Sequence, residues 1–487
     1  MSSLSFLKQI AKSENEKKTK KKIEKELPFF ISIVTLLATS GFGPYTIFQK
    51  MHDIKLLPTI RQESIKILKR VDVLGLDPLA AMMEAKEKNT SRPFGEFLAG
   101  YVSSIQAGGN VVNYLTSKLN STFERYGDVE KSSVSTVKAL VESFMTMQIV
   151  ILAVYIIITA TSTTGASELT SPQSFDATYV IIIFPPIISL MFIIMAHKMD
   201  SSNNPELDFK KIIIFGIPSV AIAVILVLLN LIPDFNALII GISLIVASLW
   251  PTIKYIKLGT FSRDAEDATP QILLDVAEAR KTGIAPEQCI IKACKRKDFK
   301  SFNPVSSSIA SKLEWGVPIK KIYESIESSV KNFQVLISFK ILFEIISSGG
   351  GNVHTLDSLA AIAEKIRNIE KAKREMLKPY ILIGFMIVSI TSFTTLMVID
   401  SLTDISILSE LDEDKKLKLK EEAKSQFEML SMTILAQAWL AGLFLGKLTV
   451  GSFSGGFRLS VVLVAITLIA IVTMQLGIFD INALFAK

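Results

Sequence analysis

A long-range internal repeat is the feature of this sequence that most constrains its fold. Six helix-breaking or turn-forming residues recur at one constant displacement of 242 positions. The two sets are Pro28, Gly41, Pro44, Gly108, Gly109 and Asn110, and Pro270, Gly283, Pro286, Gly350, Gly351 and Asn352. This period is far longer than the roughly 20 to 50 residues of solenoid repeats, so each copy is predicted to be a domain. In both copies a polar region leads directly into an apolar segment.

The composition indicates an integral membrane protein. Hydrophobic residues make up 49% of the 487 positions, charged residues 20%, and the mean hydropathy is +0.42. These values favour alternating polar and membrane-spanning regions. The net charge of +7 lies largely in segments that we expect to face the cytoplasm, as the positive-inside rule requires, and no nucleic acid partner is needed to explain it.

Seven apolar stretches are long enough to cross a bilayer core of roughly 30 Å. They lie near 142–162, 178–197, 211–232, 236–256, 379–400, 429–448 and 459–478. Spans one to three correspond to spans five to seven, and span four returns the chain to the cytoplasm. We therefore predict an all-α, multi-pass protein of the cell membrane, with about seven transmembrane helices, two duplicated cytoplasmic helical-bundle domains and the C-terminus outside.

The predicted domain order follows from these spans. It is a Lys-rich N-terminal tail (1–25), a first cytoplasmic domain (26–141), transmembrane helices one to four (142–257), a second cytoplasmic domain (258–378), transmembrane helices five to seven (379–478) with an outer loop (401–427), and a C-terminal tail (479–487). We expect the Lys-rich tail to be disordered and to touch anionic lipid, with protein binding as the alternative. The outer loop is expected to contain an exposed, charge-paired helix.

The second domain reads as six short helices between Pro270 and Lys378, separated by glycine and proline. Gly349 to Asn352 is expected to form a turn that requires a positive φ. The helix after this turn presents an apolar stripe inward, at Leu356, Leu359, Ile362, Ile366 and Ile369. Its outer face is basic, at Arg367, Lys371, Lys373, Arg374 and Lys378. Two interpretations stay open: a positive-inside cluster against lipid, or a docking surface for an acidic protein.

Away from the ends of the predicted spans, polar residues are few and uncharged. Among them are Gln148, Ser392, Thr394, Gln437 and Gln475. Because ion and solute pathways generally need a charged or titratable group in the membrane, this pattern argues against a transporter. Kinks are expected at Pro185, Pro186 and Pro218. Gly442 and Gly446 form a GxxxG pair for close helix packing within the chain, or alternatively for dimerisation.

No motif for catalysis, a cofactor or a metal is present in the sequence. Gly442 to Lys447 departs from a Walker A loop in spacing and in the residue after the lysine. The histidines, at His52, His197 and His354, are scattered and are interpreted as surface or turn residues. Cys289 and Cys294 are predicted to be reduced, buried thiols. We therefore expect a non-enzymatic protein.

Three segments resemble the type II secretion system F domain family. They are Leu313–Pro318, Glu344–Asn352 and the basic helix that runs into span five. The turn Gly446–Ser460 is similar to one in the archaeal branch of this family, which includes platforms of the archaellum and of archaeal type IV pili. The resemblance covers nearly the whole chain from Glu26, and it is strongest in the second copy.

The resemblance implies a membrane platform that partners a hexameric secretion ATPase and lifts archaellin or pilin subunits from the bilayer. Combined with the basic helix, it gives the hypothesis that Arg367, Lys371, Lys373 and Arg374 dock the ATPase. A homodimer beneath the ATPase is compatible with the family. The archaellum is the favoured filament, an adhesion or DNA-uptake pilus is the alternative, and a transporter or a membrane-bound enzyme are rivals from other classes.

Overall fold

The computed structural model describes residues 2–163, 177–199, 235–296, 298–349, 351–404 and 413–475, with a few isolated residues between 218 and 225. Over these residues the chain forms helices joined by short turns, and no strand is present. The predicted all-α class is therefore confirmed.

Fifteen α-helices are present in the described residues. They are α1 (Ser2–Thr39), α2 (Pro44–His52), α3 (Pro58–Asp72), α4 (Pro78–Lys88), α5 (Arg92–Gln106), α6 (Val111–Thr163), α7 (Ala177–Met199), α8 (Asn236–Lys281), α9 (Pro286–Arg296), α10 (Asn303–Glu314), α11 (Ile319–Ser329), α12 (Phe333–Ser347), α13 (Val353–Asp404), α14 (Glu413–Val450) and α15 (Phe453–Gln475). A single 3₁₀ turn, Lys300–Phe302, precedes α10.

The chain divides into two compact units. One contains Met1–Ser132 and Thr260–Ala372, and we call it the repeat unit. The other contains Ser133–Gly259 and Lys373–Lys487, and we call it the membrane unit. The repeated glycine, proline and asparagine residues of both copies therefore all fall in the repeat unit.

The helices of the repeat unit follow the same order in both copies. Pro44 begins α2 and Pro286 begins α9, at the displacement of 242 residues seen in the sequence. Each proline follows a glycine with a positive φ, of 89° at Gly41 and 80° at Gly283, which ends the preceding helix. Proline has no backbone N–H to leave unpaired, so it suits the first turn of the next helix.

One hydrophobic core serves both copies. Its members include Phe29 and Phe30 of α1 together with Phe339 and Leu342 of α12, all at most 3% exposed. Phe29 packs edge-to-face on Phe333, with ring centroids 4.9 Å apart. The two copies are thus halves of one folded body.

The Lys-rich segment differs from its predicted disorder. It is the first part of α1, a helix of 38 residues that continues without a break into the core. Lysine and glutamate are good helix formers, and Lys18 pairs with Glu14 one turn away at 2.7 Å. Ile23 and Leu27 are buried in the shared core and anchor the helix.

Five helices in the described part of the chain are long and apolar enough to cross a membrane. They are Val111–Val154, Asn236–Lys281, Val353–Thr394, Phe427–Val450 and Phe453–Met474, and they match predicted spans one, four, five, six and seven. Predicted span two falls on the apolar helix α7 (Ala177–Met199), which contains Pro185 and Pro186. Predicted span three, which includes Pro218, lies almost wholly outside the described residues, as does the loop 405–412.

Candidate coupling site

Two long helices run from the repeat unit into candidate membrane spans. Helix α6 has 53 residues and α13 has 52, and both are continuous, although α13 contains Pro379. At 1.5 Å per residue each is about 80 Å long. These helices are equivalent in the repeat, because Val111 and Val353 are 242 residues apart.

The predicted turns precede these two helices and fix where they begin. Gly108 has φ 61° before α6, and Gly349 has φ 76° before α13. The side-chain oxygen of Asn110 accepts a hydrogen bond from the Asn113 N–H at 3.1 Å. The side-chain oxygen of Asn352 likewise accepts one from the Thr355 N–H, at 2.7 Å, so both asparagines cap their helices. The other turn residues play different parts.

Of those remaining residues, Gly351 lies in a tight space. A Cβ atom on Gly351 would lie 2.9 Å from Cγ of Pro286, so any side chain there would press on the start of α9. At Gly109 the nearest atom would be the Ser104 carbonyl oxygen, 3.6 Å away, which is an ordinary contact. Gly350 lies outside the described residues.

The two long helices contact each other inside the repeat unit. Lys365 of α13 lies over the ring of Phe123 of α6, 5.7 Å from its centroid. The same lysine Nζ donates to the side-chain oxygen of Asn120 at 3.5 Å. Gly127 of α6 faces Ile369 of α13, since a Cβ there would lie 3.9 Å from the isoleucine side chain. The two long helices are therefore packed against each other within the repeat unit.

The apolar stripe predicted on α13 faces the core. Leu356, Leu359, Ile362 and Ile366 are buried, and Ile369 packs against the core while partly exposed. The basic residues lie outside this stripe but differ in environment. Arg367 Nε donates to Asp267 Oδ1 of α8 at 2.7 Å, and its side chain is 29% exposed.

The remaining basic residues of α13 also differ in exposure. Lys371 is exposed, whereas Lys373 and Arg374 are half-buried and engage other groups of the chain. Lys378 is exposed and pairs with Glu375 at 2.7 Å. Of the four proposed docking residues, Lys371 is thus the most accessible.

An ion pair between the two copies was not foreseen from the sequence. Lys50 Nζ of α2 lies 3.2 Å from Glu344 Oε1 of α12, and Lys340 lies 3.5 Å from the other oxygen of the same carboxylate. The side chains of all three are at most 22% exposed. A sequence separation of 294 residues between Lys50 and Glu344 leaves no local pattern to detect.

Equivalent turns of the two copies present exposed apolar side chains. Trp315, at the end of α10, is 87% exposed. Val73 and Leu74, at the end of α3, are 77% and 66% exposed. Gly316 and Gly75, which follow them, have φ 69° and 68°. The segment containing Trp315 is distinctive in the sequence, but only the structure shows this exposure.

In the membrane unit, Gly442 and Gly446 lie between α14 and α15. A Cβ on Gly442 would be 2.4 Å from Ser460 Cα, and one on Gly446 would be 2.0 Å from Gly456 Cα. The two helix backbones are therefore in direct contact, as small residues permit. The adjoining turn buries Lys447, which is 3% exposed, donates to the Gly451 carbonyl oxygen at 3.2 Å and lies over the ring of Phe453.

Three of the predicted intramembrane polar residues come together. The Gln437 side-chain N–H donates to the Gln148 side-chain oxygen, and both residues are buried. They line a small cavity together with Ser392, which bonds its own helix at Val388. Thr394 is half-buried outside this cavity, and the surroundings of the Gln475 side chain are outside the described part of the structure. Gln148, Ser392 and Gln437, which are all uncharged, thus bring spans one, five and six together at this cavity.

The thiols and histidines show no arrangement suited to metal or redox chemistry in the described residues. Cys289 and Cys294 are both buried and free, as predicted. Burial raises the pKa of the Cys294 thiol to about 12, which keeps it protonated and inert. His52, His197 and His354 are exposed. No group of three or more metal-ligating side chains was found among the described residues.

Comparison with known proteins found one relationship. Residues 29–159 match the family model described as Type II secretion system (T2SS), protein F. The match begins in α1 and ends in the apolar part of α6. It thus lies in the first copy, whereas the resemblance argued from sequence is strongest in the second. Neither curated proteins nor solved structures gave a match. Residues 29–159 are therefore similar to a type II secretion system F domain.

Proposed function

We propose that this protein is the membrane platform that couples a cytoplasmic secretion ATPase to the assembly of a type IV pilus-like filament, and that this filament is the archaellum. The observation that carries the proposal is the continuity of α6 and α13, each of which joins the repeat unit to a candidate membrane span. In this proposal the repeat unit lies in the cytoplasm. Energy comes from the ATPase, because the chain presents no catalytic constellation in its sequence.

The shared core determines how a displacement imposed by the ATPase would be transmitted through the repeat unit. Because both copies belong to one body, the ATPase can engage either copy and still displace α6 and α13 together. The contacts of Lys365 in α13 with Asn120 and Phe123 in α6 fix the position of one helix along the other. Their membrane ends then shift and lift archaellin or pilin subunits out of the bilayer. A homodimer of the platform beneath a hexameric ATPase would present four such helices.

The docking surface in this proposal is the basic face of α13, at Arg367, Lys371, Lys373 and Arg374. Lys371 offers the exposed charge, and Arg367 is held by Asp267 in a fixed orientation with part of its surface accessible. An acidic surface on the ATPase is the complementary partner. Electrostatic docking of this kind weakens as the salt concentration rises.

The turn between α14 and α15 supports a platform of the archaeal branch, for which the archaellum is the favoured filament. Its segment Gly446–Ser460 is similar to that of archaeal platforms, and the structure gives these residues a packing role through Gly446, Gly455 and Gly456. Participation in rotation of the filament is part of the same proposal. An adhesion or DNA-uptake pilus would use the same platform with a different subunit.

The first test is to purify the C-terminally tagged protein from its native membranes in mild detergent and to identify co-purifying proteins by mass spectrometry. Recovery of a secretion ATPase with archaellin supports the full proposal. Recovery of the ATPase with another pilin retains the platform and overturns the archaellum assignment. Recovery of neither, with solute flux in reconstituted vesicles, would establish a transporter instead. The untagged protein, processed in parallel, is the control.

A further inference from the structure

Helix α1 is the counterpart of α8 in the repeat. It ends at Thr39 and α8 ends at Lys281, at the same displacement of 242 residues. Helix α8 reaches the repeat unit directly from a candidate membrane span that begins at Asn236. At the same displacement, the Lys-rich part of α1 corresponds to the stretch of α8 that directly follows its apolar half.

Contacts inside the repeat unit give the direction of α1. The hydroxyl of Thr35 lies 3.5 Å from the carbonyl oxygen of Leu115, near the start of α6. Six residues earlier on α1, Phe29 packs against Tyr126, further along α6, with ring centroids 5.9 Å apart. The two helices therefore run antiparallel. Going toward its N-terminus, α1 follows α6 in the direction in which α6 proceeds to its membrane span.

The side chains in this N-terminal part of α1 are exposed and basic. Lys17, Lys20, Lys21 and Lys22 are exposed, while Ile23 is buried in the core and fixes which face of the helix points outward. Six lysines and three glutamates occur between Ser13 and Lys25. This excess of positive charge is complementary to the headgroups of anionic lipids.

We propose that the N-terminal part of α1 is a peripheral anchor that binds the headgroups of anionic lipids through Lys17, Lys20, Lys21 and Lys22. This proposal does not depend on the identity of the ATPase or of the filament.

The test uses the full chain in lipid nanodiscs, with a fluorescent maleimide on Asn15→Cys and a nitroxide on the lipid headgroup as quencher. Cys289 and Cys294 are buried and stay unlabelled, which the unsubstituted protein verifies. Discs of phosphatidylcholine alone are compared with discs of equimolar phosphatidylcholine and phosphatidylglycerol. We expect strong quenching only in the anionic discs, and a decrease on addition of salt. A label on His354→Cys, at the distant start of α13, should be unquenched in both.

The charge dependence is tested with two matched triple variants. Lys17, Lys20 and Lys21→Gln should lower the ratio of docked to free helix at least tenfold, since one lysine near an anionic surface contributes roughly a fivefold factor. Lys320, Lys321 and Lys331→Gln removes the same charge from exposed positions elsewhere and should leave quenching unchanged. Quenching that is absent in anionic discs, equal in both kinds of disc, or insensitive to the first variant would overturn the proposal, whether or not the platform function holds.

Discussion

At the residue scale, the role of the basic face of α13 in the fold must be separated from its proposed role in docking. Arg367 forms a 2.7 Å ion pair with Asp267, so its replacement alters the fold locally as well as the outer charge. Changing Arg367, Lys371, Lys373 and Arg374 to Glu together is expected to abolish filaments while the protein still inserts in the membrane. Filaments counted by electron microscopy, with the protein level measured in isolated membranes, check this. Normal filament assembly would remove this face as the docking surface.

A charge exchange isolates the structural part of that effect. Arg367→Glu places two carboxylates together and should cost about 1 kcal/mol of stability, because the pair is partly exposed. Adding Asp267→Arg restores an ion pair with the charges exchanged. The double variant is expected to recover the melting temperature but not full filament assembly. Recovery of both would show that Arg367 acts only in the fold.

The buried thiols give a prediction that depends on pH. Burial raises the pKa of Cys294 to about 12 and also raises that of Cys289, so both stay protonated at neutral pH. Because only the thiolate reacts, the folded protein should not be labelled by maleimide until urea unfolds it. A raised pKa also means that the thiol's contribution to stability is complete below about pH 8.5 and is lost as pH rises toward 12. Urea melts at pH 7 and pH 10 should show this decrease, and labelling of the folded protein at pH 7 would contradict the assignment.

At the scale of the element, the continuity of α13 is the property that transmission requires. Two glycines inserted after Ala372 would rotate the following segment by about 200° relative to the repeat unit and weaken the helix by roughly 1 kcal/mol for each glycine. Filament assembly is expected to stop, while the melting temperature of the repeat unit is retained. The same insertion after Asn89, in the turn between α4 and α5, is the control and should be tolerated. Filaments formed normally by the first variant would refute transmission through a rigid helix.

The close contact between α14 and α15 depends on glycines, which have no side chain. A methyl group at Gly446 would lie 2.0 Å from Gly456 Cα, so Gly446→Ala must push the helices apart. We expect a loss of about 1 to 3 kcal/mol, seen as a lower melting temperature in detergent. Gly259→Ala is a matched change within α8, where the nearest atom would be 3.7 Å away on Tyr255, and it should be neutral or stabilising. A Gly446→Ala protein as stable as the parent would contradict the close packing.

The helices were predictable because their ends carry local signals. Gly283, Pro286 and Gly316 mark boundaries that the structure retains. The helicity of the Lys-rich segment was not foreseen, because its high charge resembles that of a disordered tail while its anchor, Ile23, lies in a core that forms only on folding. The exposure of Trp315 also could not be predicted, because the sequence does not show whether another residue covers an apolar side chain.

At the scale of the whole molecule, the repeat predicted two domains, and the structure joins the copies through one core. The contacts that join them are distant in sequence: Lys50 with Glu344, and Phe29 with Phe333. No periodicity within either copy reports such pairs. Each copy alone would expose the face that its counterpart covers. Duplication within one chain provides that counterpart at a fixed 1:1 ratio, whereas a protein with a single copy would have to form a dimer to cover the same face.

This joint core predicts that the copies unfold together. Phe29 is 3% exposed and touches Phe333 of the other copy, so Phe29→Ala should cost about 3 to 5 kcal/mol. If the repeat unit is cooperative, backbone amides of α12 in the second copy will lose protection along with those of α1. Hydrogen exchange followed by mass spectrometry resolves both helices in one experiment. Leu274→Ala, an apolar truncation at a residue that is 47% exposed, is the control and should leave both protected.

Loss of protection confined to the first copy would mean that the halves are mechanically independent. A force applied to one copy would then be dissipated at the interface before it reached the other long helix. Loss in both copies means that the two copies unfold as one cooperative unit, as the proposed joint displacement of α6 and α13 requires. The exchange pattern therefore tests the basis of the proposed coupling without the ATPase or the filament being present.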